Sequence, residues 1–181
     1  MKALIIIDML NDFVTGVLNN QAHASKIIPN IKALLDYARS QPDWIILFSN
    51  DAHHDDDREM GVWGKHAMKD TDGAKVIPEL EPIIGEREYN VPKRFYGGFD
   101  ETEMGEICKK HGITEVYLTG QHTHCCVRHT AYGAFTRGYG INIIEDGVCV
   151  FDGVDNAAAI EYLKTIYGST ITNSNSVIVK A

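Results

Sequence analysis

The chain holds no apolar run long enough to cross a bilayer, which argues against a helical membrane protein. It has no surplus of basic residues. Lys and Arg number 17 against 25 Asp and Glu, for a formal net charge of −8, and that sign disfavours nucleic acid or an anionic membrane as partner. There is no C-x-x-C pair, so a thioredoxin-type centre is unsupported. There is also no G-x-G-x-x-G and no P-loop, so neither a dinucleotide nor an ATP site is indicated. Repeats, low-complexity tracts and linkers are missing. Cysteine is scarce, at 4 residues, and the first strand pattern begins at Lys2, which leaves no room for a signal peptide. The cysteines therefore read as thiols of a reducing, cytoplasmic compartment. What remains is 181 residues, 44% hydrophobic and 23% charged. That is ordinary for a globular protein and suggests one domain, 1–181, with a core of its own.

The most informative stretch is 114–138, TEVYLTGQHTHCCVRHTAYGAFTRG. Val116 to Thr119 form a strand pattern, and Gly120 punctuates it. Past Cys126 the spacing of Val127, Ala131 and Ala134 is helical, with Gly138 as the stop. Cys125 and Cys126 thus sit where a strand gives way to a helix. A helix N-terminus there would lower a thiol pKa and favour the thiolate nucleophile. The alternative is that cysteines merely fill core, which is the expectation for Cys108 and Cys149 inside apolar runs.

Other strand ends carry chemistry as well. Residues 2–8, KALIIID, read as a buried parallel strand ending in Asp8, although Asp8 is also suited to capping the next loop. Residues 25–39 predict an amphipathic helix with Ser25 as N-cap. A second buried strand, 44–50, is followed by Asp51 and a long loop rich in His, Asp and Gly. Loops of that length in compact domains are functional or disordered. Asp51 and His53 are two apart, and an extended chain turns both toward one point; His66 can return to it. These are donors for zinc, iron or manganese, though the same residues would suit a solvated acidic loop. Residues 88–92 predict a short strand, and Lys93 follows it, either at the ligand edge or as an ordinary surface charge. Helices are expected over 101–111 and 154–167, and strands over 140–145 and 169–172. The tail SVIVKA reads as an edge strand or a last turn.

Six strands alternating with helices predict an α/β protein: a doubly wound, mainly parallel sheet with helices on both faces. In such a sheet Asp8, Asp51, Lys93 and the cysteine pair would share one edge. A cysteine nucleophile needs a base and a charge partner, and Asp8 and Lys93 supply them.

Asp8 in IIIDMLNDF, Lys93 in VPKRFYGGF and Cys126 in TGQHTHCCVRHTAY resemble the Asp-Lys-Cys triad of the isochorismatase-like cysteine hydrolases, and the resemblance covers nearly the whole chain. It implies that fold and selects Cys126 as nucleophile, because the family's cysteine precedes Val-Arg. The loop DAHH…WGKH resembles the nicotinamidase branch. That resemblance implies a divalent metal, zinc above iron or manganese, on Asp51, His53 and His66, with a further His or carboxylate of the loop, Glu59 by spacing or else His54. It implies Phe13 and Trp63 on either side of a nicotinamide ring, a cis Gln121–His122 bond, and an oxyanion hole from the His122 and Cys126 amides. The implied reaction is hydrolysis of nicotinamide to nicotinic acid and ammonia through a thioester, as in NAD salvage, by a homo-oligomer acting on a small amide. The rival readings are a related hydrolase of carbamoyl or ureido compounds without a catalytic metal, and a thiol sensor using vicinal Cys125 and Cys126. The sequence departs from the family's usual Ala at His122, its usual Asp at His124 and its usual Tyr-Ser at Gly97-Gly98.

Overall fold

The computed structural model describes residues 1–179; Lys180 and Ala181, the end of the predicted tail segment, lie outside the described residues. Six strands form one sheet: β1 (Lys2–Ile7), β2 (Trp44–Asp51), β3 (Glu88–Lys93), β4 (Glu115–Gln121), β5 (Gly140–Cys149) and β6 (Thr170–Thr172). Their order is β3-β2-β1-β4-β5-β6, and every pairing is parallel. Apolar runs make the central strands because helices cover both faces of the sheet. All eight residues of β2 are buried. β3 is buried only at Glu88, Val91 and Lys93 and carries Pro92, which an edge strand tolerates.

Alternation divides the core in two. Leu4 and Ile6 pack under helix α2 (Gln21–Ser40), with Ile31, Leu34 and Leu35. Ala3, Ile5 and Ile7 face the opposite side, where α4 (Met104–Lys110), α5 (Arg128–Thr136) and α6 (Asn156–Tyr167) lie. Two short helices, α1 (Asn11–Val14) and α3 (Met60–Trp63), stand over the C-terminal edge of the sheet. Strand β1 connects toward β2 on one side while β4 lies on the other, so the switch in direction falls between the ends of β1 and β4. Ligands of open α/β sheets bind at such a switch.

Several boundaries differ from the sequence expectation. Helix α2 starts at Gln21, not at Ser25, and Asn20 precedes it. Asn20 does not cap with its side chain, which instead donates to Gln121 Oε1 and the Val150 carbonyl, both at 3.0 Å. Helix α4 starts at Met104 because Glu101 adopts a left-handed φ of 55°. Strand β5 runs on to Cys149 across a register shift opposite Leu118 and Gly120. The tail forms neither a strand nor a simple turn but helix α7 (Ser174–Val179). Its first amide and the Ser174 hydroxyl donate to the Asp146 carboxylate at 2.8 and 2.6 Å.

Candidate active site

Parallel register brings the strand ends together. Ile7 pairs with Ser49 on one side and Gly120 on the other, and Asp51 faces Lys93 across β2 and β3. Gly120 permits the closeness of β1 and β4: its φ is 103°, and a Cβ there would sit 2.0 Å from the Ile7 carbonyl oxygen. Asp8, one residue past β1, takes a left-handed φ of 51° and turns its carboxylate inward. Helix α5 is preceded by a π-helical turn, Thr123–Val127, which carries both cysteines. Such turns are frequent at functional sites. The Gln121–His122 bond is cis.

The three triad residues are buried together. Lys93 Nζ lies 2.8 Å from Asp8 Oδ2 and also donates to Asp51 Oδ1. Asp8 Oδ1 accepts the Asp51 amide at 2.8 Å. Ligand-type atoms of Asp8, Asp51 and Cys126 all lie within 4.8 Å of one another. Burial, then repulsion from Asp51, pushes the Asp8 carboxyl up to about 6 against the pull of Lys93. Burial disfavours the Lys93 ammonium, yet Asp51 and Asp8 outweigh it and hold its pKa well above the ordinary value.

Cys126 differs from the sequence expectation. The hydrogen bond with Cys125, then burial, holds the thiol well above its usual range, and Lys93 offsets this only in part. The Asp8 carboxylate lies within 4.8 Å of the sulfur. Cys125 is half-buried beside it, while Cys108 and Cys149 are core.

Asp51, His53, Glu59 and His66 are all buried, with one donor atom each within 4.8 Å of one another. The structure brings Glu59, not the exposed His54, to this cluster. His53 Nε2 stands 3.5 Å from Asp51 Oδ2 and 3.7 Å from Glu59 Oε2, and His66 Nε2 is 3.9 Å from the same Glu59 oxygen. These gaps are too long for hydrogen bonds and suit donors gathered about 2 Å from one centre. His53 Nε2 is buried without a hydrogen-bond partner among the described residues. Both rings are fixed through the other nitrogen: His53 Nδ1 contacts Asp57 Oδ2 at 2.9 Å, and His66 Nδ1 donates to the Gly64 carbonyl at 2.8 Å. Burial opposes charge on His53, but Asp51, Asp57 and Glu59 raise its pKa to about 9. Burial, then Asp51, lifts Glu59 to about 7. A cluster that draws positive charge this strongly, built from oxygen and imidazole donors, fits a divalent cation.

Cys126 and this cluster open into one pocket, with Phe13, Trp63, Tyr96 and Phe151 as aromatic walls. Phe13 and Trp63 both line it, as expected. Trp63 packs against Phe151 at 5.3 Å and donates from Nε1 to the Tyr96 hydroxyl at 3.1 Å. His122 stacks on Phe151 at 3.7 Å, and its Nε2 is buried without a partner among the described residues. No Lys or Arg is among the residues that line the pocket. Leu18, Tyr96 and Phe151 escaped the sequence reading. They sit in loops without periodicity, and only the aromatic character of Tyr96 and Phe151 beside predicted strand ends gave a signal.

The chain matches the Isochorismatase domain over residues 2–175, and it belongs to that family of hydrolases. Its structure is similar to that of N-carbamoylsarcosine amidase from Thermoplasma acidophilum, with a TM-score of 0.89 and 34% identity over 96% of each chain. It is also similar to a nicotinamidase from Bacillus subtilis, with a TM-score of 0.85 and 27% identity over 95% of this chain and 99% of that one. A zinc complex of pyrazinamidase from Pyrococcus horikoshii gives a TM-score of 0.83 and 28% identity, covering 95% of this chain and 98% of the other.

Proposed function

We propose that this isochorismatase-family hydrolase is a metal-dependent nicotinamidase that converts nicotinamide and water to nicotinic acid and ammonia. The observation that carries the reading is one aromatic pocket lined by Cys126 and by Asp51, Glu59 and His66, with His53 completing the donor cluster and Asp8 beside Cys126. A planar amide with a ring nitrogen has matching needs: walls for the ring, a Lewis acid for the nitrogen and a nucleophile for the carboxamide carbon.

In this reading Asp8 takes the proton of Cys126 as sulfur adds to the carboxamide carbon. The amides of His122 and Cys126 hold the developing oxyanion. Asp8 returns the proton to the departing ammonia, leaving a thioester. Asp8 then takes a proton from water as its oxygen attacks the thioester, and nicotinic acid leaves as sulfur regains a proton. Lys93 keeps the Asp8 carboxylate and the forming thiolate balanced in charge. Asp51, His53, Glu59 and His66 would hold the divalent ion, whose Lewis acidity would supply a contact for the ring nitrogen. Phe13 and Trp63 flank the ring.

The second reading is hydrolysis of a carbamoyl compound, favoured by the higher identity to the carbamoylsarcosine amidase. An N-carbamoyl amino acid brings a carboxylate, and the pocket lining has no ammonium or guanidinium to receive it. The test measures ammonia release from nicotinamide and from N-carbamoylsarcosine, with and without chelator, beside Cys126→Ala. Release from nicotinamide that needs both metal and Cys126 is the expected result. Release from the carbamoyl compound alone, untouched by chelator, would replace this reading with the second.

A further inference from the structure

We propose that Asp57 and Arg94 are positioning residues for the metal site: Arg94 holds Asp57, and Asp57 fixes the His53 ring so that Nε2 faces the ligand cluster. The inference rests on the metal reading above and concerns how this chain builds that site.

Two consecutive cations close the C-terminal end of β3, and they point to different tasks. Lys93 is buried and reaches Asp8 and Asp51. Arg94 lies partly in solvent, with 45% of its side chain exposed, and crosses to the loop after β2. There the two oxygens of Asp57 are divided. Oδ1 accepts from Arg94 Nε at 2.8 Å and from Arg94 Nη2. Oδ2 accepts from the His54 backbone amide at 2.9 Å and lies 2.9 Å from His53 Nδ1. The neighbouring Asp56 is 85% exposed and touches Arg94 only at 3.2 Å, so the acidic run Asp55-Asp56-Asp57 contains a single buried member.

An ionised carboxylate has no proton to give, so His53 Nδ1 is the donor in this contact. Nε2 is then left toward Asp51 and Glu59. His66 reaches the same end by a local device, the carbonyl of Gly64 two residues back. His53 instead uses Asp57, four residues on, which Arg94 just past β3 holds from across the site. Strand β3 therefore serves both halves of the site. Lys93 sets the charge around the nucleophile, and Arg94, which touches neither a ligand nor the triad, governs the orientation of a ligand. Partners of this kind are worth about 10- to 100-fold in metal affinity.

The test titrates metal-free protein with zinc against a chromophoric chelator. Wild type is compared with Asp57→Ala, Asp57→Asn, Arg94→Gln and the Asp57→Ala/Arg94→Gln pair; far-UV circular dichroism and thermal unfolding check the fold. Asp57→Ala should bind about 10- to 100-fold more weakly. Asp57→Asn should lie between, because its amide oxygen still accepts from Nδ1–H. Arg94→Gln should lose several-fold, and the double variant should be no weaker than Asp57→Ala, since Arg94 acts through Asp57. In metal-free protein, at a pH high enough for the His53 ring to be neutral, imidazole nitrogen shifts should place its proton on Nδ1 in wild type and over both nitrogens in Asp57→Ala, a change that loss of loop packing alone would not cause. Folded Asp57→Ala that binds zinc as tightly as wild type would overturn the proposal and spare the metal reading. So would losses that multiply in the double variant. Wild type that binds no zinc would remove the metal reading and this inference with it. If Asp57→Ala fails to fold, Arg94→Gln at its exposed position carries the test alone, and unchanged zinc affinity there overturns it.

Discussion

At the scale of single residues, the site is made by burial that changes what ordinary side chains do. Asp8 suits the proposed role of base: burial and Asp51 raise its carboxyl to about 6 against the pull of Lys93. Asp8→Asn keeps the shape and removes the base. It should lower kcat by about 10²- to 10⁴-fold with the fold intact, measured as single-turnover thioester formation; an unchanged rate would end the assignment of Asp8. His122 shows the reverse effect. Burial, then nearby His124, pushes its pKa down to about 3. The sign follows from the unfolded value of about 6.5. Below that pH the unfolded chain takes a proton that the folded protein refuses, so this contribution to stability is lost as pH falls toward 3, by roughly 1.4 kcal/mol per pH unit. Above about 6.5 it contributes no slope. Replacing His122 with Ala in metal-free protein should flatten the fall of Tm between roughly pH 6 and pH 4. Equal slopes for the two proteins would show that His122 is not the group responsible.

Elements were legible where one local rule decided them, and illegible where a distant side chain did. The parallel strands stood out because two covered faces leave an unbroken apolar run, as in β1 and β2. Their ends, in turn, gave Asp8, Asp51, Lys93 and Cys126. The start of α2 was missed because Asn20 spends its side chain on Gln121 and Val150. The end of β5 was missed because Asp146-Gly147 reads as a turn, yet β4 keeps pairing past a register shift. Helix α7 was missed because Ser-Val-Ile-Val has β propensity, whereas Asp146, 28 residues earlier in the chain, binds its first turn. Asp57 could not be told from Asp55 and Asp56 in sequence; only burial separates them. Asp146→Ala should therefore cost about 1 to 2 kcal/mol by loss of this capping contact, read as a lower urea midpoint with unchanged kcat. Gly120→Ala acts on the sheet itself. A Cβ 2.0 Å from the Ile7 oxygen at a φ of 103° forces β1 from β4, and the expected loss is roughly 3 kcal/mol or more, with activity falling as Asp8 and Cys126 part. A stable, active Gly120→Ala protein would contradict the tight β1–β4 approach.

At the scale of the whole molecule, the candidate metal-binding cluster joins parts that the sheet alone does not hold. Asp51 ends β2, while Glu59 and His66 belong to the loop beyond it. That loop is tied back by side chains: the Ala67 amide donates to Asp12 Oδ2 at 2.8 Å, Trp63 donates to the Tyr96 hydroxyl at 3.1 Å, and Arg94 pairs with Asp57. A cation held by the four donors would tie the loop to β2 and close the pocket wall that carries Trp63. Such a cation binds the folded chain far better than the unfolded one, so it adds stability by mass action. Zinc at a hundred times its dissociation constant is worth about 2.7 kcal/mol, which for a chain of this size raises Tm by roughly 5 to 10 °C. Scanning calorimetry of chelator-stripped protein, with and without free zinc at that excess, should show that rise, and His53→Ala should abolish it. On the proposed reading the same addition should lower KM for nicotinamide more than it raises kcat, because the ion would contact the ring nitrogen and not the carboxamide carbon. A rise that persists in His53→Ala would place the zinc elsewhere. A rise in kcat at constant KM would instead put the cation in the chemical step.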